Sequence, residues 1–91
     1  MFEKKKQAEL IDSIELMLSD DYKDRFKAEY MQLKIRHAKL SNSLRDYVVG
    51  RGHIKFSRDY GLLLKQAKLM DELLMILRVR AQIEGIDLNG L

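Results

Sequence analysis

Four basic side chains have the spacing of one ridge along a helix. Lys23, Lys27, Lys34 and Arg45 fall within about 40° of one another when successive residues are placed 100° apart around the helix axis. A surface with one sign of charge attracts phosphate groups, so this basic ridge is a candidate anion-binding edge. The same pattern is typical of a solvated helix face, on which lysines serve helix propensity and solubility.

Two tyrosines lie near the ends of the basic ridge. Tyr22 precedes Lys23, and Tyr47 follows Arg45. A tyrosine ring offers a stacking surface for a base, while a neighbouring lysine offers a charge for a phosphate. Two interpretations therefore stay open: a site for a ligand with phosphates and flat rings, and a solvated face.

Other site chemistry has little support in the residues. His37 and His53 are the only histidines and the chain has no cysteine, so a zinc site would need carboxylates from elsewhere. The loop that begins at Gly50 has neither of the glycine-rich phosphate-binding signatures, which indicates a hairpin connection. No nucleophile motif or metalloprotease motif occurs. We therefore expect no catalytic residue, no metal and no cofactor, and we do not expect an enzyme.

Length and composition define the class of protein. A chain of 91 residues with 46% hydrophobic and 34% charged side chains is expected to form one domain, residues 1–91. No run approaches the roughly 20 apolar residues of a membrane-spanning helix, and no signal-peptide pattern is visible. The absence of cysteine excludes a disulfide scaffold and is compatible with a reducing cytoplasm. We expect no membrane partner.

Glycine positions and apolar periodicity divide the chain into three helices. Proline is absent, and the pattern predicts a short N-terminal helix over 1–18 and two long helices over 21–48 and 57–84. Ser57 is the expected N-cap of the third helix, and Gly85 is placed to close it in a Schellman motif.

Both long helices have a heptad seam, in which apolar or aromatic residues alternate at spacings of four and three. In the second helix the seam is Phe26, Tyr30, Leu33, His37, Leu40, Leu44 and Tyr47. In the third helix it is Tyr60, Leu63, Ala67, Met70, Leu74, Leu77 and Ala81. Two seams of nearly equal length joined by a short loop predict an all-α fold, a long antiparallel helical hairpin preceded by the short helix.

Each long helix also has apolar residues outside its seam. On the second helix they are Ala28, Met31, Ile35 and Ala38, and on the third they are Leu62, Leu69, Leu73, Ile76 and Ile83. A lone hairpin would expose a large apolar patch, which monomeric proteins avoid. We therefore expect the chain to form a homo-oligomer. The alternative is that the first helix folds back and covers the excess.

Two segments of the chain carry a resemblance to a known family. The run Asp21–Arg36 contains D-Y-K-D-R-F-K-A-E-Y, and the run Leu74–Ile86 contains R-A-Q-I-E-G-I. Both are similar to segments of a small phage and prophage protein family of Gram-positive hosts. These small proteins resemble the helical-hairpin domain of the anti-CBASS and anti-Thoeris cyclic-nucleotide sponges.

The resemblance implies a function without catalysis. Such proteins are hexamers, built as trimers of dimers of helical hairpins. They bind cyclic dinucleotides such as cGAMP at protomer junctions, and some bind cyclic trinucleotides at a separate site. They hold the messenger uncleaved, so that CBASS-type immunity is not activated in the cytoplasm of the infected bacterial host.

The resemblance also implies site residues. In that family a tyrosine near the start of the hairpin and a lysine several turns further on contact the ligand. Tyr22 matches the tyrosine, Lys34 or Lys27 matches the lysine, and Lys23 completes the expected ligand-binding set. Basic side chains of the third helix are candidates for a separate trinucleotide site: Lys65, Lys68, Arg78 and Arg80.

Two further functions stay open. The apolar rows would also suit a host protein as the partner, with no small ligand. The basic ridge would suit DNA or RNA, since residues 22–58 carry 10 basic and 3 acidic side chains. The net charge of the whole chain is only +3 and no nucleic-acid-binding motif occurs, so we do not expect long nucleic acid as a partner.

Overall fold

The computed structural model of the protein describes residues 9–50 and 59–91, and within these ranges every regular element is helical. A 3-10 turn over Leu10–Ser13 leads into a single α-helical turn, α1, over Ile14–Met17. Two long helices follow, α2 over Tyr22–Val48 and α3 over Tyr60–Glu84. This confirms the predicted all-α class, with a short helical element ahead of two long helices.

Within the described residues, helical structure covers 10–17 of the predicted range 1–18. Residues 1–8 lie outside the described residues, and the backbone of Glu9 is extended, with φ −122° and ψ 164°. The carboxylate of Asp12 accepts a hydrogen bond from the N–H of Glu9 (2.9 Å), and the hydroxyl of Ser13 donates to the carbonyl of Leu10 (2.7 Å). Glu9 and Asp12 form a capping box, so Glu9 is the extended N-cap of the helical element, and the prediction of one continuous helix through residue 9 is wrong.

The start of α2 follows from the turn before it. The side chain of Asp21 caps α2 by accepting a hydrogen bond from the N–H of Lys23 (2.9 Å). The hydroxyl of Ser19 accepts from the N–H of Asp21 (3.1 Å) and donates to the carboxylate of Asp24 (2.8 Å). These bonds place the first helical residue at Tyr22, one residue after the predicted start.

The two ends of α3 are closed in different ways. Asp59 is the N-cap, so α3 begins three residues after the predicted start; Ser57 lies outside the described residues. At the other end Gly85 has a left-handed backbone, φ 69° and ψ 36°, and the N–H of Ile86 donates to the carbonyl of Ala81 (2.8 Å). This is the predicted Schellman closure. It turns Ile86 back into the core, where it is 6% exposed.

The two long helices pack antiparallel along their seams. Tyr22 at the start of α2 contacts Glu84 at the end of α3. At the opposite end Tyr47 stacks on Tyr60, with ring centroids 5.1 Å apart. The buried core combines residues of both seams with the residue after the closure: Phe26, Tyr30, Leu74, Leu77, Ala81 and Ile86. The predicted faces are therefore the faces in contact.

The N-terminal segment covers the second apolar face of α2. Ala28 and Met31, which lie away from the seam, are buried. On the same face the side-chain amide of Gln32 donates to the hydroxyl of Ser13 (2.9 Å), and Ser13 is itself 1% exposed. For α2, the alternative in which the first helix folds back is correct.

The second apolar face of α3 lies at the surface. We call its residues the outer row, and they are between 41% and 78% exposed: Leu62, Leu69, Leu73, Ile76 and Ile83. At 100° per residue the outer row is centred about 130° from the seam of α3, so α2 does not reach it. The apolar surplus of α3 is thus exposed. None of the helices within 9–50 and 59–91 has the length and apolarity needed to cross a bilayer.

Gly85→Ala is expected to destabilise the protein by about 1–2 kcal/mol, because a Cβ is disfavoured in the left-handed region. The matched control is Gly61→Ala within α3, where a new Cβ meets nothing within 4 Å, and where alanine should stabilise the helix by up to about 1 kcal/mol. Urea unfolding followed by circular dichroism measures both changes. Equal changes in the free energy of unfolding for the two substitutions would contradict the Schellman closure at Gly85.

Candidate ligand-binding site

The candidate site lies at the end of the hairpin where α2 begins and α3 ends. The hydroxyl of Tyr22 donates a hydrogen bond to Oε1 of Glu84 (2.9 Å) and accepts one from Nη2 of Arg80 (2.9 Å). Nε of Arg80 donates to Oε2 of Glu84 (3.1 Å). These three side chains form a closed ring of hydrogen bonds across the two helices, which we call the Tyr22 triad. The triad is at the surface, with Tyr22 48% exposed.

A buried ring supports the triad. Phe26 lies one turn after Tyr22, is 3% exposed and belongs to the core. The guanidinium of Arg80 lies 5.0 Å from the centroid of this ring, and the Tyr22 ring meets it edge to face at 6.3 Å between centroids. Because the core holds Phe26 in place, Phe26 restricts where both surface side chains can lie.

The carboxylate of Glu84 sets the protonation of the triad. Its hydrogen bond raises the pKa of the Tyr22 hydroxyl above the usual 10.0, and the Arg80 guanidinium opposes this more weakly. The same carboxylate raises the pKa of Arg80. Near neutral pH the triad therefore combines a neutral phenol with a guanidinium and a carboxylate. It offers an aromatic face and a planar cation, which are groups that bind bases and phosphates.

A second tyrosine and arginine pair joins the same two helices. Nε of Arg78 donates to the hydroxyl of Tyr30 (3.2 Å), and its guanidinium lies 5.8 Å from the centroid of that ring. Arg78 and Arg80 leave α3 about 200° apart, so the two pairs lie on opposite edges of the seam. Beside the second pair an open groove of about 390 Å³ lies between Tyr30 and Arg78 and the residues that follow α3.

The four predicted ligand residues are spread along α2. Lys23 lies next to Tyr22, and its ammonium donates to the carbonyl of Gly85 (3.4 Å). Lys34 is about 18 Å further along α2 than Tyr22, and its ammonium donates to the carbonyl of Leu91. Lys27 lies between them and is half-buried. Tyr22 and Lys23 therefore share the end of the hairpin with the triad, whereas Lys34 belongs with the C-terminal residues.

The basic side chains predicted for a separate site on α3 are not together. Lys65 and Lys68 border an open groove of about 830 Å³ beside His37, and Arg78 and Arg80 lie nearer the other end of α3. Nε2 of His37 is 3.5 Å from the hydroxyl oxygen of Ser41. Within 9–50 and 59–91, no three His, Cys, Asp or Glu side chains are grouped so that they could hold a metal ion.

Sequence reasoning missed Phe26 and Glu84 as site residues, and it assigned Arg80 only to a separate site. The register of the two seams is the signal that finds them. With Tyr47 opposite Tyr60, an antiparallel pairing places Tyr22 opposite residue 85 and Phe26 opposite residue 81. Arg80 and Glu84 are then the polar residues of α3 that flank those positions.

The ionisation of Tyr22 is expected to depend on Glu84. The carboxylate of Glu84 accepts a hydrogen bond from the neutral phenol of Tyr22. This bond therefore contributes fully to folding stability below the pKa of an unfolded tyrosine, and the contribution is lost as the pH rises through the raised pKa. In a pH titration, the phenolate absorbance of the wild type minus that of Tyr22→Phe reports Tyr22 alone, and its midpoint should lie above pH 10.0. Glu84→Gln should lower this midpoint. Glu72→Gln, which changes an exposed acid about three turns away on α3, is the control and should leave the midpoint unchanged. An unchanged midpoint in Glu84→Gln would contradict the triad.

Comparison with known proteins assigns the chain to a family. A family model described as Sequestin matches residues 20–83, more than two thirds of the chain. The matched range begins just before the cap of α2 and ends at the last turn of α3, so it includes Tyr22, Phe26 and Arg80. Neither the curated proteins nor the solved structures give a match. The matched range covers both long helices except Glu84, the last residue of α3, and the chain belongs to the Sequestin family.

Proposed function

We propose that this protein binds a cyclic oligonucleotide second messenger and sequesters it without cleaving it, so that CBASS-type immunity is not activated in the infected bacterial host. The ligand class is a cyclic dinucleotide such as cGAMP, with a cyclic trinucleotide as a further member. The observation that carries the proposal is the exposed pair of Tyr22 and Arg80 seated on Phe26. The family name, which describes sequestration, supports the same class of function.

The triad suits the chemistry of such a ligand. A cyclic dinucleotide has two phosphates and two flat bases. The Tyr22 ring, 48% exposed, offers a face on which a base stacks. Arg80 offers a planar guanidinium, the side chain best shaped for phosphate oxygens, and Lys23 adds a second cation at the same end of the hairpin.

Binding without cleavage fits the acid at the site. Both carboxylate oxygens of Glu84 accept hydrogen bonds, one from Tyr22 and one from Arg80. A carboxylate engaged in this way orients the triad and is poorly placed to act as a general base on a bound ligand. The protein in this proposal is not an enzyme and uses no cofactor.

Self-association is the second part of the proposal. The outer row of α3 is apolar and exposed, and monomers seldom expose contiguous apolar surfaces of this kind. A second copy of the chain covers it in this proposal, with a hexamer built as a trimer of dimers as the assembly that the resemblance implies. A two-fold dimer presents two Tyr22 triads, which matches a ligand with two similar halves.

Tyr22→Ala is expected to weaken cyclic dinucleotide binding about 5- to 150-fold, because base stacking on an aromatic side chain contributes about 1–3 kcal/mol. Arg80→Ala should weaken it as well, and Arg36→Ala, an exposed arginine of α2, is the matched control. Calorimetry with a panel of cyclic di- and trinucleotides measures the affinities, and chromatography of the released ligand tests whether it is intact. No heat with any member of the panel, or hydrolysed nucleotide on release, would overturn the proposal.

Leu73→Glu and Ile76→Glu are expected to split the oligomer without unfolding the protomer, because each places an unpaired charge in an apolar contact. Gln66→Glu adds the same charge at another exposed position of α3 and should leave the assembly intact. Sedimentation of the wild type and the variants measures the assembly. A wild-type particle of 10.7 kDa at micromolar concentration would contradict self-association.

A host protein is the second candidate partner, and the exposure of the outer row is the observation that favours it. In that case purified bait protein should capture one host protein stoichiometrically, Leu73→Glu should abolish the capture, and the cyclic-nucleotide panel should give no binding. Binding to duplex DNA that weakens steeply with salt would instead favour the nucleic-acid alternative.

A further inference from the structure

The residues after α3 run back along α2. Gly85 reverses the chain, Ile86 enters the core, and Leu88 and Leu91 pack against the same core from the side. We call residues 87–91 the C-terminal strap. Its two ends lie near two lysines of the basic ridge, because Lys23 donates to the carbonyl of Gly85 just before the strap, and Lys34 donates to the carbonyl of Leu91 at its far end.

We propose that the C-terminal strap is a displaceable cover over a second anion-binding edge of the hairpin, formed by Tyr30, Arg78 and Lys34, and that a phosphate-bearing ligand with a flat ring binds there once the strap lifts. The proposal rests on the proposed function in the ligand class, since both sites take a phosphate together with a ring. The two sites differ in position, because this edge lies on the opposite side of the seam from the Tyr22 triad.

The covered edge has the groups that the ligand class needs. Tyr30 is 5% exposed, and the groove beside it is bordered by Ile86, just before the strap, and by Leu88 within the strap. Nε of Arg78 is bonded to the Tyr30 hydroxyl, which leaves the outer edge of the guanidinium directed away from that bond. Removing the strap would uncover the tyrosine ring, free the ammonium of Lys34 and widen the groove along α2.

The strap follows a firmly anchored residue, Ile86, and is itself held more weakly. Ile86 is buried in the core at 6% exposure, whereas Leu88 and Leu91 are half-buried. Its internal bonds are local: the N–H of Asn89 donates to the carboxylate of Asp87 (2.9 Å), and the N–H of Leu91 donates to the carbonyl of Leu88 (3.2 Å). Local bonds can persist after lifting, so lifting disrupts chiefly the packing of the two leucines and the hydrogen bond of Lys34.

An anion competes well for the lysine that the strap engages. The ammonium of Lys34 now donates to one backbone oxygen of Leu91, whereas a phosphate offers several charged oxygens, which Lys34 and Arg78 can bind together in charge-assisted hydrogen bonds. Lifting the strap also carries the carboxylate of Asp87 away from Arg78, beside which it lines the groove. If the strap is open about one tenth of the time, the apparent affinity is reduced about tenfold relative to an uncovered edge.

The experiment uses adenosine 5′-monophosphate, which has one phosphate and one flat ring, and follows leucine methyl resonances by NMR. Leu88→Gln/Leu91→Gln in the full chain should bind it about tenfold more tightly than the wild type. Leu18→Gln, at a leucine that is 73% exposed, is the matched control and should bind as the wild type does. In the wild type, the methyl signals of Leu88 and Leu91 should move as the nucleotide is added.

Gly90→Ala is the second variant, in case the double substitution disturbs folding. Gly90 has φ 84° with nothing within 4 Å of a new Cβ, so alanine strains the strap without touching the core, and affinity should rise several-fold. Adding Lys34→Ala should remove most of that gain. Equal or weaker binding by the loosened variants, unmoved signals of Leu88 and Leu91, or no binding by any chain would overturn the strap proposal. The cyclic-nucleotide panel with Tyr22→Ala tests the proposed function separately, so either proposal can fail alone.

Discussion

The packing of Phe26 between the two long helices is the interaction on which the rest of the arrangement depends. Its ring is 3% exposed within the core, and the guanidinium of Arg80 and the ring of Tyr22 contact its outer side. One side chain thus belongs both to the hydrophobic core and to the support of a polar surface cluster. The free energy that orders the hairpin also orders the cluster, because a buried aromatic ring has few alternative rotamers in a close-packed core.

The two long helices differ in how much of their apolar surface is covered. α2 is covered by α3 on its seam and by the N-terminal segment on its second face, where Ala28 and Met31 are buried. α3 has one covered face, and its outer row is exposed. The difference follows from the chain order, since the short α1 is joined to the start of α2 by a tight turn and packs beside it. Of the two long helices, α3 therefore has the exposed apolar row, which runs from Leu62 near its start to Ile83 near its end.

The left-handed backbone of Gly85 decides which groups lie beside Lys23 and Lys34 of the basic ridge. Gly85 ends α3 and sends the chain back over α2, so backbone carbonyls lie against Lys23 and Lys34. Had α3 continued, the same lysines would face solvent. The two tyrosine and arginine pairs consequently have different surroundings: the Tyr22 pair is exposed, and the Tyr30 pair lies beside a groove bordered by the strap. Similar residue pairs on one hairpin thereby differ in exposure, since Tyr22 is 48% exposed and Tyr30 is 5% exposed.

The sequence by itself determined the helical class, the two seams and the closure at Gly85, because these depend on periodicity and on local backbone preferences. It also identified Tyr22 and Lys23 as neighbours at one end of the hairpin. It did not identify Glu9 as an extended N-cap, where a capping box with Asp12 begins the helical element. The tertiary structure decided that Arg80 and Glu84 contact Tyr22 and that Lys34 contacts the strap. These contacts depend on the register between the helices and on the path of the chain after Gly85. Side chains more than 50 residues apart in sequence carry no local signal of such contacts.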